Sequence, residues 1–330
     1  MITSLNKFFL FLIFLIPVSL ITGPAIPDII ITISSIYFLI IYFFFNTKYD
    51  FNFINLPKWF LVAILFYLGA NISSVLSNNN VSHSISSSIP YIRFIIFSFF
   101  FIYFILISPR NYFIIINIIG LSIFFVSVDI CFQYFVGYDI FGFPSTPERN
   151  AGPFGDELKG GSYISKFYIP VFATFYFLST KSKIYKNICI ILFISCFMGL
   201  ILSGERAAII LFLFSNLIFL FLIFFSNIKK LLYIIFGFIL IILILFNYVL
   251  TDKFRDRYLT STFDDIKSFD NFIDSHYGAH YITAYNIFLD YPFLGVGQNN
   301  YRNLCSDKKY SSLNSLRIKD RCSTHPHNYY

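Results

Sequence analysis

Charge is scarce in this chain. Only 12% of its 330 residues are Asp, Glu, Lys or Arg, about half of the ~25% found in ordinary soluble domains. With 57% hydrophobic residues and a mean hydropathy of +0.72, a water-soluble fold of this size could not hide its apolar surface. Lipid must be the solvent for much of it. Cysteine is also sparse, with five residues and no Cys-x-x-Cys pair, which argues against a zinc or thiol-redox motif. There is no nucleotide-binding loop, no cluster of carboxylates spaced as metal ligands, and no internal repeat. A transporter would be expected to show repeated halves and polar groups near the bilayer midplane. Asp129, Asn117 and Asn216 are the few residues that could serve so, and Asp129 falls near the end of its run.

What the chain does have is long apolar runs. They lie near Phe8–Ile21, Ile29–Phe45, Trp59–Leu76, Tyr91–Ile107, Tyr112–Val136, Ser162–Leu178, Ile188–Leu202, Ala207–Phe225 and Leu231–Leu250. Most approach the roughly 20 residues that cross a bilayer. The expected fold class is therefore an all-α polytopic membrane protein with about nine transmembrane helices. The first run contains Pro17 and is read as a retained span, because Ile21–Ala25 is a poor signal-peptidase site. The 47 Phe and 24 Tyr are read as a compositional bias, not as an aromatic cage.

The net charge of +7 does not point to nucleic acid, because the basic residues sit between the apolar runs. Lys7, Lys48, Lys58, Arg110, Lys181, Lys183, Lys186, Lys229 and Lys230 fall in alternate connections. Arg149 and Lys159, with Arg93, Lys166 and Arg206 at span ends, fall in the opposite set. By the positive-inside rule the first set is cytoplasmic. This puts the N-terminus inside and Asn78–Ile89, Gly137–Gly161, Ser203–Arg206 and Thr251–Tyr330 outside. Two regions follow: 1–250, a helical bundle carrying the outer loop 137–161, and 251–330, a large outer-loop subdomain. In that subdomain Tyr277, Tyr281, Ala284, Tyr285 and Phe288 recur at helical spacing, with His276, His280, Thr283 and Asp290 on another face. This predicts an amphipathic helix, stopped by Pro292 and the Gly295–Gly297 pair, lying on the membrane surface or capping the bundle. Cys305 and Cys322 share this loop, where either a disulfide or two free thiols is possible. The run beginning at Tyr330 suggests a further span beyond it.

Three stretches carry groups fit for chemistry. Ser203-Gly-Glu-Arg206 is a very tight turn between two spans. Its arginine could be an interface anchor, but a Glu–Arg pair exceeds what a turn needs, and a fixed guanidinium suits bidentate phosphate binding. Glu148-Arg-Asn-Ala-Gly-Pro-Phe-Gly-Asp-Glu-Leu158 offers Arg149 beside glycines, and a solvated loop would explain it as well. Thr324-His-Pro-His-Asn-Tyr-Tyr330 supplies two imidazoles able to act as a general base near neutral pH. Their spacing makes them a poor pair for a metal on a helix face.

These stretches together resemble the O-antigen ligase and O-antigen polymerase superfamily. Ser203-Gly-Glu-Arg206 is similar to its short arginine turn. Tyr291-Pro-Phe-Leu-Gly-Val-Gly-Gln-Asn-Asn-Tyr301 resembles the Pro-x-x-Gly-x-Gly segment of its large periplasmic loop, and His325-Pro-His-Asn328 the His-Asn signature that closes that loop. Arg149–Glu157 resembles the arginine segment of the preceding outer loop. The family's final spans and the glycine-rich stretch after the His-Asn pair have no counterpart in this sequence.

The resemblance implies a membrane glycosyltransferase of the C-type fold. It would move a polyisoprenyl-diphosphate-linked glycan onto lipid A-core at the outer face of the inner membrane, or onto another lipid-linked repeat unit. His327 and Arg206 would be catalytic, and Arg149, His325, Asn328, Glu205 and Arg93 would bind substrate. No metal, cofactor or nucleic acid is implied.

Overall fold

The apolar runs become helices. The computed structural model describes residues 2–49, 58–76, 80–106, 108–146, 148–225, 252–260, 263, 267–268, 271–272, 275–310 and 322. The longer elements are α1 (Ile2–Ser19), α2 (Ala25–Tyr49), α3 (Lys58–Leu76), α4 (Val81–Ser88), α5 (Ile92–Phe101), α6 (Pro109–Val136), α7 (Gly160–Ser179), α8 (Lys183–Ser203), α9 (Arg206–Phe224), α10 (Asp252–Tyr258) and α11 (His276–Asp290). Among the described residues there is no β-strand beyond one isolated bridge, Tyr138 to Pro144. The protein is an all-α membrane protein.

Among the described residues, five helical stretches are long and apolar enough to cross a bilayer: Ala25–Phe44, Val81–Leu106, Pro109–Val136, Lys183–Ser203 and Arg206–Phe224. Asn6–Thr22 and Phe60–Leu76 are shorter apolar helices. The α7 helix is less apolar because its first half carries Gly160, Gly161, Ser162 and Lys166. The ninth run, Leu231–Leu250, lies outside the described residues.

One stretch read as loop, within Asn78–Ile89, is helical. Val81, Ile85 and Ile89 recur every four residues, which aligns one face. The intervening serines bond back to the helix: Ser86 and Ser87 Oγ donate to the His83 carbonyl, each at 2.9 Å, and Ser88 Oγ reaches Asn71 Oδ1 at 3.0 Å. Serine in a helix interior normally competes with its backbone. Here Ser86 and Ser87 are satisfied on the helix backbone, and Ser88 reaches the neighbouring α3.

The chain divides into two compact units. One comprises Met1–Ile30 and Ile102–Ser261, the other Ile31–Phe101 and Thr262–Tyr330. In the first unit α6, α7 and α8 approach closely over small residues. A Cβ on Gly199 would lie 2.8 Å from Ser127 Cα, and one on Gly120 would lie 3.2 Å from Val171. Small residues at such crossings let backbones pack where lipid gives no hydrophobic drive. Tyr168, fully buried, stacks on Phe172 and meets Phe212 at 4.6 Å. The Tyr163 hydroxyl donates to the Pro17 carbonyl at 2.6 Å, tying α1 to α7.

In the second unit Phe60 and Phe99 pack with ring centroids 4.0 Å apart. The amphipathic helix appears as α11, capped by Ser275 Oγ, which accepts from Gly278 N at 3.0 Å. Its inward face is Ala279, His280, Thr283 and Ile287, and Ile287 packs with Tyr301, Cys305 and Tyr310. Tyr281, Tyr285 and Phe288 are exposed. The face with His280 and Thr283 is therefore the packed one, and the aromatic face is open. Cys305 and Cys322 are joined as a disulfide, with Cα atoms 5.3 Å apart.

Candidate functional site

The turn between α8 and α9 is built around Gly204. Its φ of +71° is left-handed, a conformation glycine adopts at no steric cost at a helix C-terminus. A Cβ there would also strike the carbonyl oxygen of Glu148. Glu205 follows in extended conformation (φ −92°, ψ 97°), and α9 starts at Arg206.

A helix leaves its last carbonyls without partners in the helix. In α8 other parts of the chain supply them. Asn150, buried, donates its Nδ2 to the Leu202 carbonyl at 2.8 Å and its backbone N–H to the Ser203 carbonyl at 3.1 Å. The Tyr258 hydroxyl donates to the Ile201 carbonyl at 2.8 Å, and Arg257 Nε to the Gly204 carbonyl at 2.8 Å. Ser203 Oγ closes onto Leu200 at 2.7 Å. The loop before α7 and the helix α10 thus converge on the turn.

Glu205 faces the other way. Its carboxylate accepts from Gly161 N at 2.7 Å, Ser162 N at 3.1 Å and Ser162 Oγ at 2.5 Å. These are the first amides of α7, where the helix dipole favours an anion. Gly161 must be glycine for this approach, since a Cβ would sit 2.6 Å from Ser203 Oγ. The structure therefore places Glu205, named above as a substrate-binding residue, on the helix amides.

Three arginines belong to this fixed turn or contact it. Arg149, half-buried, lies against Gly204: the hypothetical Gly204 Cβ would be 3.1 Å from its Cα and 3.2 Å from its Cγ. One of its terminal nitrogens donates to the Leu158 carbonyl at 3.0 Å. Arg206, also half-buried, opens α9. Arg257 bonds Gly204 and pairs with Glu148 at 3.1 Å. Tyr258 lies among the same charges. Burial pushes its phenol well above the usual range; Arg257 and Arg149 oppose this, and Glu205 adds to it. Tyr258 therefore keeps its proton and stays the hydrogen-bond donor to Ile201 throughout the neutral range.

The structure brings Arg149, Glu205 and Arg206 together, and adds Asn150, Arg257 and Tyr258. None of these three was singled out by the sequence, although Asp252-Lys-Phe-Arg-Asp-Arg-Tyr258 is a dense charged stretch directly after an apolar run. Arg93 belongs to the other unit, where its guanidinium lies 5.1 Å from the Phe94 ring centroid and its carbonyl accepts from Ser35 Oγ at 2.8 Å. His325, His327 and Asn328 lie outside the described residues.

Chemically, arginines gathered at a helix start suit a multiply charged oxyanion such as a diphosphate. No curated protein and no solved structure matches the chain. The family described as O-antigen ligase matches residues 191–330, which include the C-terminal half of α8, the Ser203–Arg206 turn and all that follows. Over these residues the chain is similar to the O-antigen ligase family.

Proposed function

We propose that this protein is a ligase that transfers a polyisoprenyl-diphosphate-linked glycan to a sugar of lipid A-core, at the outer face of the inner membrane and with its N-terminus in the cytoplasm. The observation that carries the proposal is the clustering of Arg149, Arg206 and Arg257 on one backbone turn that buried polar groups hold in place. The family match supports transfer of a lipid-linked glycan in general.

In the proposed step an acceptor hydroxyl attacks the anomeric carbon of the donor. The new C–O bond forms as the bond to the diphosphate breaks, and the electron pair leaves on the phosphate oxygen. Charge grows on the diphosphate, so Arg206 and Arg149 stabilise the transition state more than the ground state. Arg257 holds the turn through Gly204. The hydroxyl proton passes to His327, with His325 and Asn328 orienting the acceptor; these three roles rest on the family resemblance. Energy is stored in the donor's glycosyl-phosphate bond, so no nucleotide is consumed.

A strain lacking the gene tests this. Loss of polymer from lipid A, with lipid-linked polymer accumulating, is expected. Loss of chain length instead would make the enzyme a polymerase that joins lipid-linked repeats. Substrate trapped on the cytoplasmic side with neither change would overturn glycan transfer and point to a flippase.

A further inference from the structure

The loop that follows α6 is arranged inside out. In its first segment, Tyr138–Phe143, the carboxylate points inward beside two polar side chains of α6, and the apolar side chains point outward. Asp129 and Asp139 are 0% and 1% exposed. Asp129 Oδ1 accepts from Ile140 N at 2.9 Å, and Asp139 Oδ1 accepts from Phe141 N at 3.0 Å and Phe143 N at 2.6 Å. Gln133, also buried, donates Nε2 to the Phe143 carbonyl at 3.2 Å and accepts Gly152 N on Oε1 at 2.8 Å. Burying carboxylates is costly. Their effect here is to fix a short backbone segment whose side chains Tyr138, Ile140, Phe141 and Phe143 all stand exposed, Phe141 at 63%. A loop built to face water would reverse this arrangement.

We propose that Tyr138–Phe143 is a membrane-interface anchor, an aromatic tip seated among the headgroups of the bilayer at the end of α6. Two observations identify lipid as the occupant. First, α6 has 28 residues, about 42 Å at 1.5 Å per residue. That exceeds the ~30 Å hydrocarbon core, so its last turns reach the interface. Second, the exposed apolar stripe of α6, marked by Leu121, Val128 and Phe135 at seven-residue spacing, runs into the tip without a polar break. Phe132 and Tyr138 join the two edge to face, with centroids 6.1 Å apart. Aromatic rings with one apolar and one polar aspect concentrate at this depth. The anchor is independent of the glycan-transfer reading and would hold for any activity.

The chain contains a single tryptophan, which makes a direct test possible. The full chain carrying Trp59→Phe and Phe141→Trp is placed in nanodiscs of phosphatidylethanolamine and phosphatidylglycerol. Lipids brominated near the headgroup or near the chain end, and aqueous iodide, serve as quenchers. Shallow-brominated lipid is expected to quench Trp at 141 several-fold more than the deep-brominated lipid, with iodide quenching several-fold below that of free tryptophan. Full iodide quenching with no effect of brominated lipid would overturn the anchor. So would protection from both quenchers, which would place protein over the loop. Adding Asp139→Ala releases the Phe141 and Phe143 amides. Iodide quenching should then rise at least to several times its former value while the monomer peak on size exclusion is kept. No change there would overturn the part assigned to the carboxylate.

Discussion

Replacing Glu205 separates a residue that holds the fold from one that contacts substrate. Glu205→Ala removes three hydrogen bonds and leaves the buried Gly161 amide and the half-buried Ser162 amide without their acceptor. A buried donor stranded in this way costs about 1–3 kcal/mol. Loss of the anion from the start of α7 adds about 0.3–1 kcal/mol. The sum for Glu205→Ala is about 1–4 kcal/mol, with Ser162 recovering a water. Glu205→Gln keeps one acceptor oxygen and the shape, so about 1–2 kcal/mol is expected. At about 2 °C per kcal/mol for a large chain, the alanine variant should melt several degrees below wild type, and the glutamine variant about midway. The assay is a thermal ramp of detergent-solubilised protein, read by loss of the monomer peak on size exclusion. Activity should fall in the same order, because α7 no longer fixes the turn that carries Arg206. If Glu205→Ala melts like wild type yet is inactive, the reasoning fails, and the carboxylate acts on substrate.

Other substitutions probe the same junction. Asn150→Ala strands the Leu202 carbonyl, and a loss of about 1–3 kcal/mol should appear in the same thermal assay. Arg206→Ala should insert and melt normally but transfer no glycan in a complementation assay; full activity would remove it from the diphosphate site. For the Cys305–Cys322 disulfide, with a sequence separation of 17, chain entropy gives about 3 kcal/mol. Cys322→Ser should lower the melting point by several degrees. In non-reduced wild type, maleimide should label neither Cys305 nor Cys322, and labelling of both would rule the bridge out.

The parts of this protein that depend on local pattern were legible. Apolar runs gave the helices, and the Pro292 and Gly295–Gly297 stop after Asp290 marked the end of α11. Arg149, Glu205 and Arg206 stood out because polar groups beside spans need a reason. What distant partners decide was not legible. Asn150 reads as an ordinary loop residue, yet it completes carbonyls 52 residues away along the chain, and Arg257 reaches Gly204 across 53. Glu205 stands in a polar turn between two spans like a site residue, and only the folded proximity of Gly161 and Ser162 shows that it caps α7. The packed face of α11 was hidden because Tyr and Phe outrank His and Thr in hydropathy. In this helix His280 and Thr283 turn inward, and the Thr283 hydroxyl is satisfied on its own backbone at 2.8 Å.

The ordering of the loop before α7 has a practical consequence for mapping which side of the membrane it occupies. A protease must draw several residues of extended backbone into its cleft. Around Arg149 that backbone is not available. Arg149 N–H donates to Thr146 Oγ1 at 3.1 Å, its carbonyl accepts from Thr146 N at 3.3 Å, and Asn150 N is held by Ser203. Trypsin should therefore spare the Arg149–Asn150 bond in folded protein from either side, and cut it once detergent and heat release the turn. Resistance of this bond in intact cells would report the loop's own bonding and carry no information about compartment. A tag or a single reactive cysteine placed at Asp156 would be the sounder marker.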